Sequence, residues 1–259
     1  MRQASRSSGV SEDAVLAGAL RLRQPRQGHR VGHDAILLAA FCPARPGDQV
    51  IELGAGVGAA GLALALRVPG TVVTLVEIDP ELAALAAENA ERNELAKRVR
   101  AIALDVLAPG PSFAAAGMAP QSAACVLMNP PFNDPARLRV SPDSRRRLAH
   151  AASADTLAGW IRSAARLLRP RGTLTMIFRA EGLAELVEFL GCAFGALTIR
   201  PVYPRSEEPA IRILLRATRD SRGPLVLLPG LILNDAAGHP TPEAEAVLRA
   251  GAALCAARI

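Results

Sequence analysis

Apolar positions along the chain follow two periods, one typical of buried strands and one typical of helices with an apolar face. Strand-like runs, several rich in β-branched residues, occur at 49–53, 71–77, 98–104, 122–128 and 173–178. Helix-like runs follow most of them, at 58–68, 80–93, 153–168 and 181–190. Because strands and helices alternate in this order, the pattern predicts a parallel sheet that is covered on both faces.

The last two strand-like runs, 197–203 and 210–216, have only PRSEEP between them, so we expect them to pair antiparallel. The fold class predicted is therefore α/β, with a seven-stranded, mostly parallel, doubly wound sheet that contains one antiparallel strand. We expect a tail at 1–13 and a single domain at 14–259. That domain divides into lead-in helices (14–47), the core sheet (48–217) and a C-terminal appendage (218–259).

Composition limits the classes of partner. Half of the 259 residues are hydrophobic, the net charge is +6, and Lys97 is the only lysine. A basic, arginine-rich chain favours an anionic partner such as nucleic acid or a membrane surface, although drift toward Ala and Arg explains the same charge.

The cysteines and histidines do not predict a metal site, because no C-x-x-C pair and no ligand spacing with His occurs. Scattered single cysteines are typical of a reducing compartment, and the N-terminus lacks the apolar core of a signal peptide. The apolar runs are too short to span a bilayer. We therefore expect a cytoplasmic protein that binds no metal ion and does not associate with a membrane. We also expect it to be a monomer or a weak dimer.

A glycine-rich loop follows the first core strand, in ELGAGVG at 52–58. Gly56, Gly58 and Gly61 match the dinucleotide fingerprint G-x-G-x-x-G, and Glu77 follows about 20 residues later, as that fingerprint requires. The glycines can equally serve a different nucleotide-like cofactor, or only allow close packing of helix and strand. Asp79 is expected to begin the next helix in front of Pro80.

A second motif, Asn129-Pro130-Pro131-Phe132, ends the strand at 122–128 because two prolines cannot donate to a sheet. A planar amino group is a poor nucleophile, since its lone pair is delocalised. The side-chain oxygen of Asn129 and the carbonyl of Pro130 can accept hydrogen bonds from its two N–H groups. This makes the lone pair available for reaction. Phe132 offers a face on which a base can stack. Alternatively, the motif is only a turn.

Taken in order, ELGAGVG, VEID, LD and NPPF resemble the class I amino-methyltransferases, which use S-adenosylmethionine. The resemblance covers residues 28 to about 217. It implies that Glu77 holds the ribose hydroxyls of the cofactor and that Asp105 accepts a hydrogen bond from its adenine. The cofactor-binding residues implied are Gly32, Asp34, Glu52, Gly54, Gly56, Gly58, Glu77, Asp105, Val106 and Asn129, and the catalytic residues implied are Asn129, Pro130, Pro131 and Phe132.

The chain also resembles a bacterial tRNA adenine-N(6) methyltransferase family that modifies the adenosine beside the anticodon of valine tRNA. The similarity lies in residues 27–41, in the last two strands and in the C-terminal segment GPLVLLPGLILND at 223–235. This implies a tRNA substrate, although His33 stands where we expect a small polar residue. Ribosomal RNA guanine-N(2) and protein glutamine remain alternative acceptors. The lead-in is too short for the helical substrate domain of the glutamine enzymes. An NAD(P)-dependent oxidoreductase and an RNA-binding scaffold without activity are the alternatives of other classes.

Five arginines follow the NPPF motif closely in the sequence and can contact RNA phosphates, and Arg30, in front of the lead-in helix, can border the same site. The alternative is a solvated loop before a helix. The residues predicted to contact RNA are Arg30, Arg137, Arg139, Arg145, Arg146 and Arg147.

Overall fold

A computed structural model describes residues 9–26, 30–131 and 144–254, with backbone alone at 144–154 and 192. The strands are β1 (Val10–Val15), β2 (Leu20–Pro25), β3 (Gln49–Leu53), β4 (Val72–Glu77), β5 (Val99–Ala103), β6 (Ala123–Met128), β7 (Leu168–Arg179), β8 (Phe194–Tyr203), β9 (Arg212–Arg219), β10 (Val226–Leu227) and β11 (Leu231–Ile232). The helices are α1 (His33–Phe41), α2 (Ala59–Arg67), α3 (Pro80–Arg92), α4 (Gly110–Ala115), α5 (Ser144–Leu167), α6 (Leu183–Leu190) and α7 (Pro242–Leu248).

The central sheet has the order β10-β8-β9-β7-β6-β3-β4-β5, and β11 also pairs with β8. β9 runs antiparallel to β7 and β8, and the other pairs are parallel. The predicted α/β fold with one reversed strand is confirmed, but the sheet has nine strands rather than seven. The two extra strands are two residues long, too short to show a period in the sequence.

Helices cover both faces of the sheet and create two apolar cores. One core contains Leu37, Phe41 and Leu62 from α1 and α2. The other contains Phe113, Trp160 and Ile161 from α4 and α5. All six residues of β6 are buried, which explains why its sequence is a continuous apolar run rather than an alternating one.

The N-terminal segment forms a β-hairpin. The prediction of a tail at 1–13 is therefore wrong for residues 10–13, which belong to β1. β1 and β2 pair antiparallel from Val10↔Pro25 to Val15↔Leu20. The expectation of lead-in helices is also wrong for this part, and α1 is the one α-helix of the described lead-in. In LRLRQP, Leu20 and Leu22 are fully buried while Arg21 and Arg23 between and after them face outward, which is the two-residue period of a strand.

Helix α5 begins at Ser144 and not at Ser153, so the predicted N-cap lies inside the helix. Alanine and arginine, both good helix formers, dominate the sequence in front of Ser153 and allow the helix to start earlier. Its end at Leu167, just before Pro170, agrees with the prediction.

Two asparagines, Asn89 in α3 and Asn93 at its C-cap, attach the hairpin to the domain by hydrogen bonding as the backbone of a neighbouring strand would. Asn89 accepts from the Arg23 amide (2.7 Å) and donates to the Arg23 carbonyl (3.0 Å). Asn93 does the same with Arg21, at 2.9 and 2.7 Å. The fully buried Asn89 also donates to the carbonyl of Val57, at 3.0 Å, so one side chain joins the hairpin to the glycine-rich loop.

We expect Asn89→Ala to reduce the free energy of unfolding by about 2 to 4 kcal/mol, because it leaves buried backbone groups without partners. Asn93→Ala is the matched control and should cost about 1 kcal/mol, since its bonds are exposed to water. Urea denaturation of both variants measures the difference. Equal losses would show that Asn89 does not have the linking role described.

Candidate active site at the carboxyl edge of the sheet

Strand register brings the two sequence motifs together. β3 pairs with β6 so that Leu53 lies opposite Met128, and the next residues along the two strands are Gly54 and Asn129. On the other side, Leu53 lies opposite Val76, which precedes Glu77. The glycine-rich loop, the acid at the end of β4 and the Asn129 motif therefore meet at one edge, where parallel sheets bind ligands.

The glycine-rich loop is packed tightly at Gly54 and open at Gly56. Gly54 has φ +69°, and a Cβ atom at this position would lie 2.3 Å from Cη2 of Trp160. Gly56 also has a positive φ, +55°, but apart from its two chain neighbours no residue has an atom within 4 Å of the position of its Cβ. The loop is thus anchored on the tryptophan and leaves space beside Gly56 for a bound molecule.

The Glu77 carboxylate lies directly beside this loop. Its Oε2 accepts from the amide of Gly56 at 2.7 Å, and its Oε1 accepts from the amide of Asp79 at 3.0 Å. Each carboxylate oxygen has a further acceptor site, so Glu77 can still receive hydrogen bonds from two hydroxyls. Asp79 caps α3 by accepting from the amide of Glu81 at 2.8 Å, as predicted.

Glu52 lies behind the loop, where it stabilises the start of α2. Gly58, the N-cap residue, has no side chain to cap the helix, and Oε2 of Glu52 instead accepts from the amide of Gly61 at 2.7 Å. Burial raises the pKa of Glu52 to about 8, the Gly61 amide opposes this shift, and the nearby Glu77 charge adds to it. Glu52 is a residue that shapes the loop, while direct contact with a cofactor stays a prediction.

Asn129 presents a buried acceptor without a donor. Its Oδ1 is shielded from solvent and has no hydrogen-bond partner among the described residues. Pro130 is buried and Pro131 is exposed, whereas Phe132 lies outside the described residues. An unsatisfied buried amide oxygen costs roughly 1–3 kcal/mol, so its presence at a sheet edge indicates a site for a ligand that donates hydrogen bonds.

The next strand contributes Asp105 and Val106 just beyond the end of β5. Asp105 is exposed, and its Oδ1 accepts from the amide of Leu107 at 2.8 Å. Val106 is buried, and its carbonyl accepts from Oγ of Ser163 at 2.7 Å. This bond attaches the loop after β5 to α5, which leaves the Asp105 carboxylate at the surface of the edge.

Gly32 and Asp34 also reach this edge, at the start of α1. Gly32 is the exposed N-cap residue, and Asp34 forms an ion pair with Arg212 at 2.9 Å. Arg212 lies opposite Arg179, at the carboxyl end of β7. Because its carboxylate already has this partner, Asp34 supports the edge, and its predicted contact with a cofactor stays untested.

The predicted RNA-binding arginines are only partly described. Arg30 pairs with Asp13 of the hairpin at 2.7 Å. Arg137 and Arg139 lie outside the described residues. The remaining three, Arg145, Arg146 and Arg147, lie in the first turn and a half of α5, and their side chains are also outside what is described.

Sequence reasoning missed Trp160 and Asn89, which hold the glycine-rich loop from outside. Trp160 is the only tryptophan, 8% exposed, and it packs on Gly54. Neither residue belongs to a motif, and their approach to the loop depends on how α5 and α3 pack on the sheet. The single tryptophan in a predicted helix is the one sequence feature that points to a special role, but the sequence does not show which residue it contacts.

Other features of the described residues do not compete with this edge. A cavity of about 510 Å³ lies near the opposite edge, lined by apolar residues such as Leu190 and Phe194 together with Ser221 and Arg222. Within 9–26, 30–131 and 144–254, no three His, Cys, Asp or Glu residues form a group able to hold a metal ion. Over the same ranges, no helix combines the length and apolar character needed to cross a membrane.

Comparison with known proteins gives three results. The family described as methyltransferase small domain matches residues 30–200. A tRNA1(Val) (adenine(37)-N6)-methyltransferase of Tolumonas auensis is 31% identical over 63% of this chain and 65% of its own length. A release factor glutamine methyltransferase of Chlorobaculum tepidum is 28% identical over 64% and 58%, respectively. The chain thus spans less than two thirds of both relatives.

A solved structure agrees with these matches. It belongs to a predicted O-methyltransferase of Agrobacterium tumefaciens and aligns with a TM-score of 0.74 at 28% identity. The alignment covers 87% of this chain and 100% of that one.

We expect Gly54→Ala and Gly56→Ala to fail in different ways. Gly54→Ala should lower the free energy of unfolding by about 3 kcal/mol, because its Cβ meets Trp160 and its φ is positive. Gly56→Ala should lower it by only about 1 kcal/mol. Its methyl group projects into the open space, and it should weaken binding of S-adenosylmethionine roughly tenfold, about 1.4 kcal/mol. Urea denaturation and calorimetric titration measure the two effects, and a reversed order would contradict this description of the loop.

The raised pKa of Glu52 predicts a pH dependence of stability. The unfolded carboxyl ionises near its usual pKa of 4.5, whereas the folded one stays protonated up to about pH 8. The free energy of unfolding should therefore fall as pH rises through this interval, by up to about 1.4 kcal/mol per pH unit. The Glu52→Gln variant should lack this pH-dependent decrease. If the free energy of unfolding of the two proteins changed in parallel between pH 4.5 and 8, the raised pKa of Glu52 would be refuted.

Proposed function

The chain belongs to the methyltransferase small-domain family, and from this we propose that it methylates the N(6) amino group of an adenosine in tRNA, beside the anticodon of valine tRNA. S-adenosylmethionine is the proposed methyl donor. The observation that carries the proposal is the buried Oδ1 of Asn129, which has no donor among the described residues and lies beside the glycine-rich loop. The tRNA1(Val) (adenine(37)-N6)-methyltransferase relative supports the choice of acceptor.

The residues at the carboxyl edge fit this cofactor. Its sulfonium centre would supply an electrophilic methyl group. The open side of Gly56 allows close approach to backbone amides, and Glu77 has acceptor sites left for two ribose hydroxyls. Asp105 is exposed at the same edge and can accept from an amino group of adenine. Glu52, Asn89 and Trp160 act indirectly, by holding the loop in shape.

Asn129 and Pro130 would activate the acceptor nitrogen. The N(6) amino group of adenine is planar, and its lone pair is delocalised into the ring. Oδ1 of Asn129 and the carbonyl of Pro130 can each accept a hydrogen bond from one of its two N–H groups. These hydrogen bonds draw the nitrogen toward tetrahedral geometry, so that the lone pair becomes available for methyl transfer. The prolines hold both acceptors in place before the substrate binds, so little reorganisation is needed during transfer.

The same geometry also suits a protein glutamine, which is the second candidate. A glutamine side chain presents a planar NH2 group with two N–H donors, and the Chlorobaculum tepidum relative is a release factor glutamine methyltransferase. Guanine-N(2) has the same chemistry. A hydroxyl acceptor offers only one O–H donor and would leave one of the two acceptors unused, which argues against O-methylation. The family match favours methyl transfer over the dinucleotide interpretation of the glycine-rich loop.

We expect the wild-type chain to place labelled methyl groups from S-adenosylmethionine into N(6)-methyladenosine of unmodified total tRNA. Asn129→Ala should lower kcat by roughly 10²- to 10³-fold, as expected for the loss of one preorganised group. Asn129→Asp keeps an acceptor oxygen and is the matched control, which should retain much more activity. Nucleoside analysis and steady-state kinetics measure both effects.

The acceptor that receives the label decides between the candidates. Label in 2-methylguanosine, or label only in a release factor added as protein substrate, would reject adenosine as the acceptor. Equal activities of Asn129→Ala and the wild type would reject the proposed role of Asn129.

A further inference from the structure

The positive charge of this protein is concentrated in one segment. Residues 144–171, which are α5 and the first four residues of β7, contain seven arginines and one aspartate. Their net charge of +6 equals that of the whole chain, so the remaining residues are balanced. A segment of this charge attracts polyanions over distances of about a Debye length, roughly 8 Å at physiological salt.

This segment connects the candidate active site to the opposite edge of the sheet. α5 has 24 residues and is therefore about 36 Å long. Trp160 contacts Gly54 at the carboxyl edge, so the helix residues before Trp160 extend beyond that edge. The helix ends at Leu167, and β7 then starts at Leu168, at the amino edge of the sheet.

Three arginines at the described end of this segment are exposed to solvent: Arg162, Arg169 and Arg171. Arg169 has a side chain that is 58% exposed, and its one ion pair in the described structure, with Asp48, is long at 3.6 Å. Arg166 is different, because it stacks on Phe113 at 4.7 Å and donates to the carbonyl of Ala108 at 3.3 Å. We call the three exposed residues the arginine track.

A solvated, balanced surface would place acids among these arginines. Several of the other exposed arginines of the described chain have close acidic partners, as in the pairs Arg30–Asp13 (2.7 Å) and Arg249–Glu245 (3.1 Å). Within 144–171, Asp155 is the one acid, seven residues before Arg162. The uncompensated charge therefore fits a partner with regularly repeated negative charges, such as the phosphates of an RNA backbone.

We propose that the arginine track binds the backbone of the tRNA whose target base enters the carboxyl edge. The identity of the RNA rests on the proposed function, whereas the track itself rests on charge and exposure. The track contacts phosphates and positions the RNA, and it does not read the sequence. Its three residues lie outside the cofactor site, so they contribute to RNA affinity without contributing to cofactor affinity.

The test compares two triple variants of the full chain. The track variant carries Arg162→Gln, Arg169→Gln and Arg171→Gln. The matched control removes three exposed charges elsewhere, by Arg21→Gln, Lys97→Gln and Arg249→Gln. Binding of unmodified total tRNA is measured at several salt concentrations, and the fluorescence of Trp160, the only tryptophan, reports binding of S-adenosylmethionine in the same proteins.

We expect the track variant to bind tRNA at least about tenfold more weakly than the control at low salt. The slope of log K against log salt should fall by about 2 to 3 for the three lost charges. Affinity for S-adenosylmethionine should match the wild type in both variants. If tRNA binding depends on the track in this way but no methyl group is transferred to tRNA, the proposal for the track is still supported. In that case only the proposed function fails.

Equal tRNA affinity and equal salt slopes for the two variants would overturn the proposal, also where the wild type methylates tRNA. Vesicles of anionic phosphatidylserine test a membrane surface as the other polyanionic partner. A track variant that loses binding to these vesicles but retains its tRNA affinity would overturn the proposal as well.

Discussion

The parallel register between β3 and β6 is the constraint on which the candidate site depends. Because Leu53 lies opposite Met128, the first residue of the glycine-rich loop and Asn129 emerge side by side. A shift of one residue would move every side chain of β6 to the other face of the sheet and would separate Asn129 from Gly54. The fully buried β6 favours this register through its packing, and the two prolines end the strand where the loop begins.

The loop itself is held by contacts from four directions. Glu77 binds the amide of Gly56 in the loop, Asn89 binds the carbonyl of Val57, and Glu52 binds the amide of Gly61 in the helix that follows. Trp160 fills the space beside Gly54. Since each contact comes from a different element, the backbone amides are arranged before any ligand binds, which reduces the entropic cost of binding. Only one side of the loop, beside Gly56, has no such contact with the described residues, and this side is open to a ligand.

Much of this fold could be predicted from the sequence, because the alternation of strands and helices between residues 49 and 216 is strongly periodic. The family resemblance drawn from short motifs is confirmed by the match over residues 30–200. The hairpin β1–β2 was missed because its buried side has few residues, such as Leu20 and Leu22. Trp160 and Asn89 could not be predicted as supports of the loop, since their roles arise only when distant helices pack on the sheet.

The central claim is that the glycine-rich loop and the buried Asn129 oxygen form one reaction site for an amino group. A crystal structure with S-adenosylhomocysteine and a short RNA that carries the target adenosine tests this claim most directly. The account predicts the ribose hydroxyls at Glu77 and the adenine N(6) of the RNA within hydrogen-bonding distance of Oδ1 of Asn129. A cofactor bound elsewhere, or an Asn129 oxygen still without a donor in the complex, would contradict it.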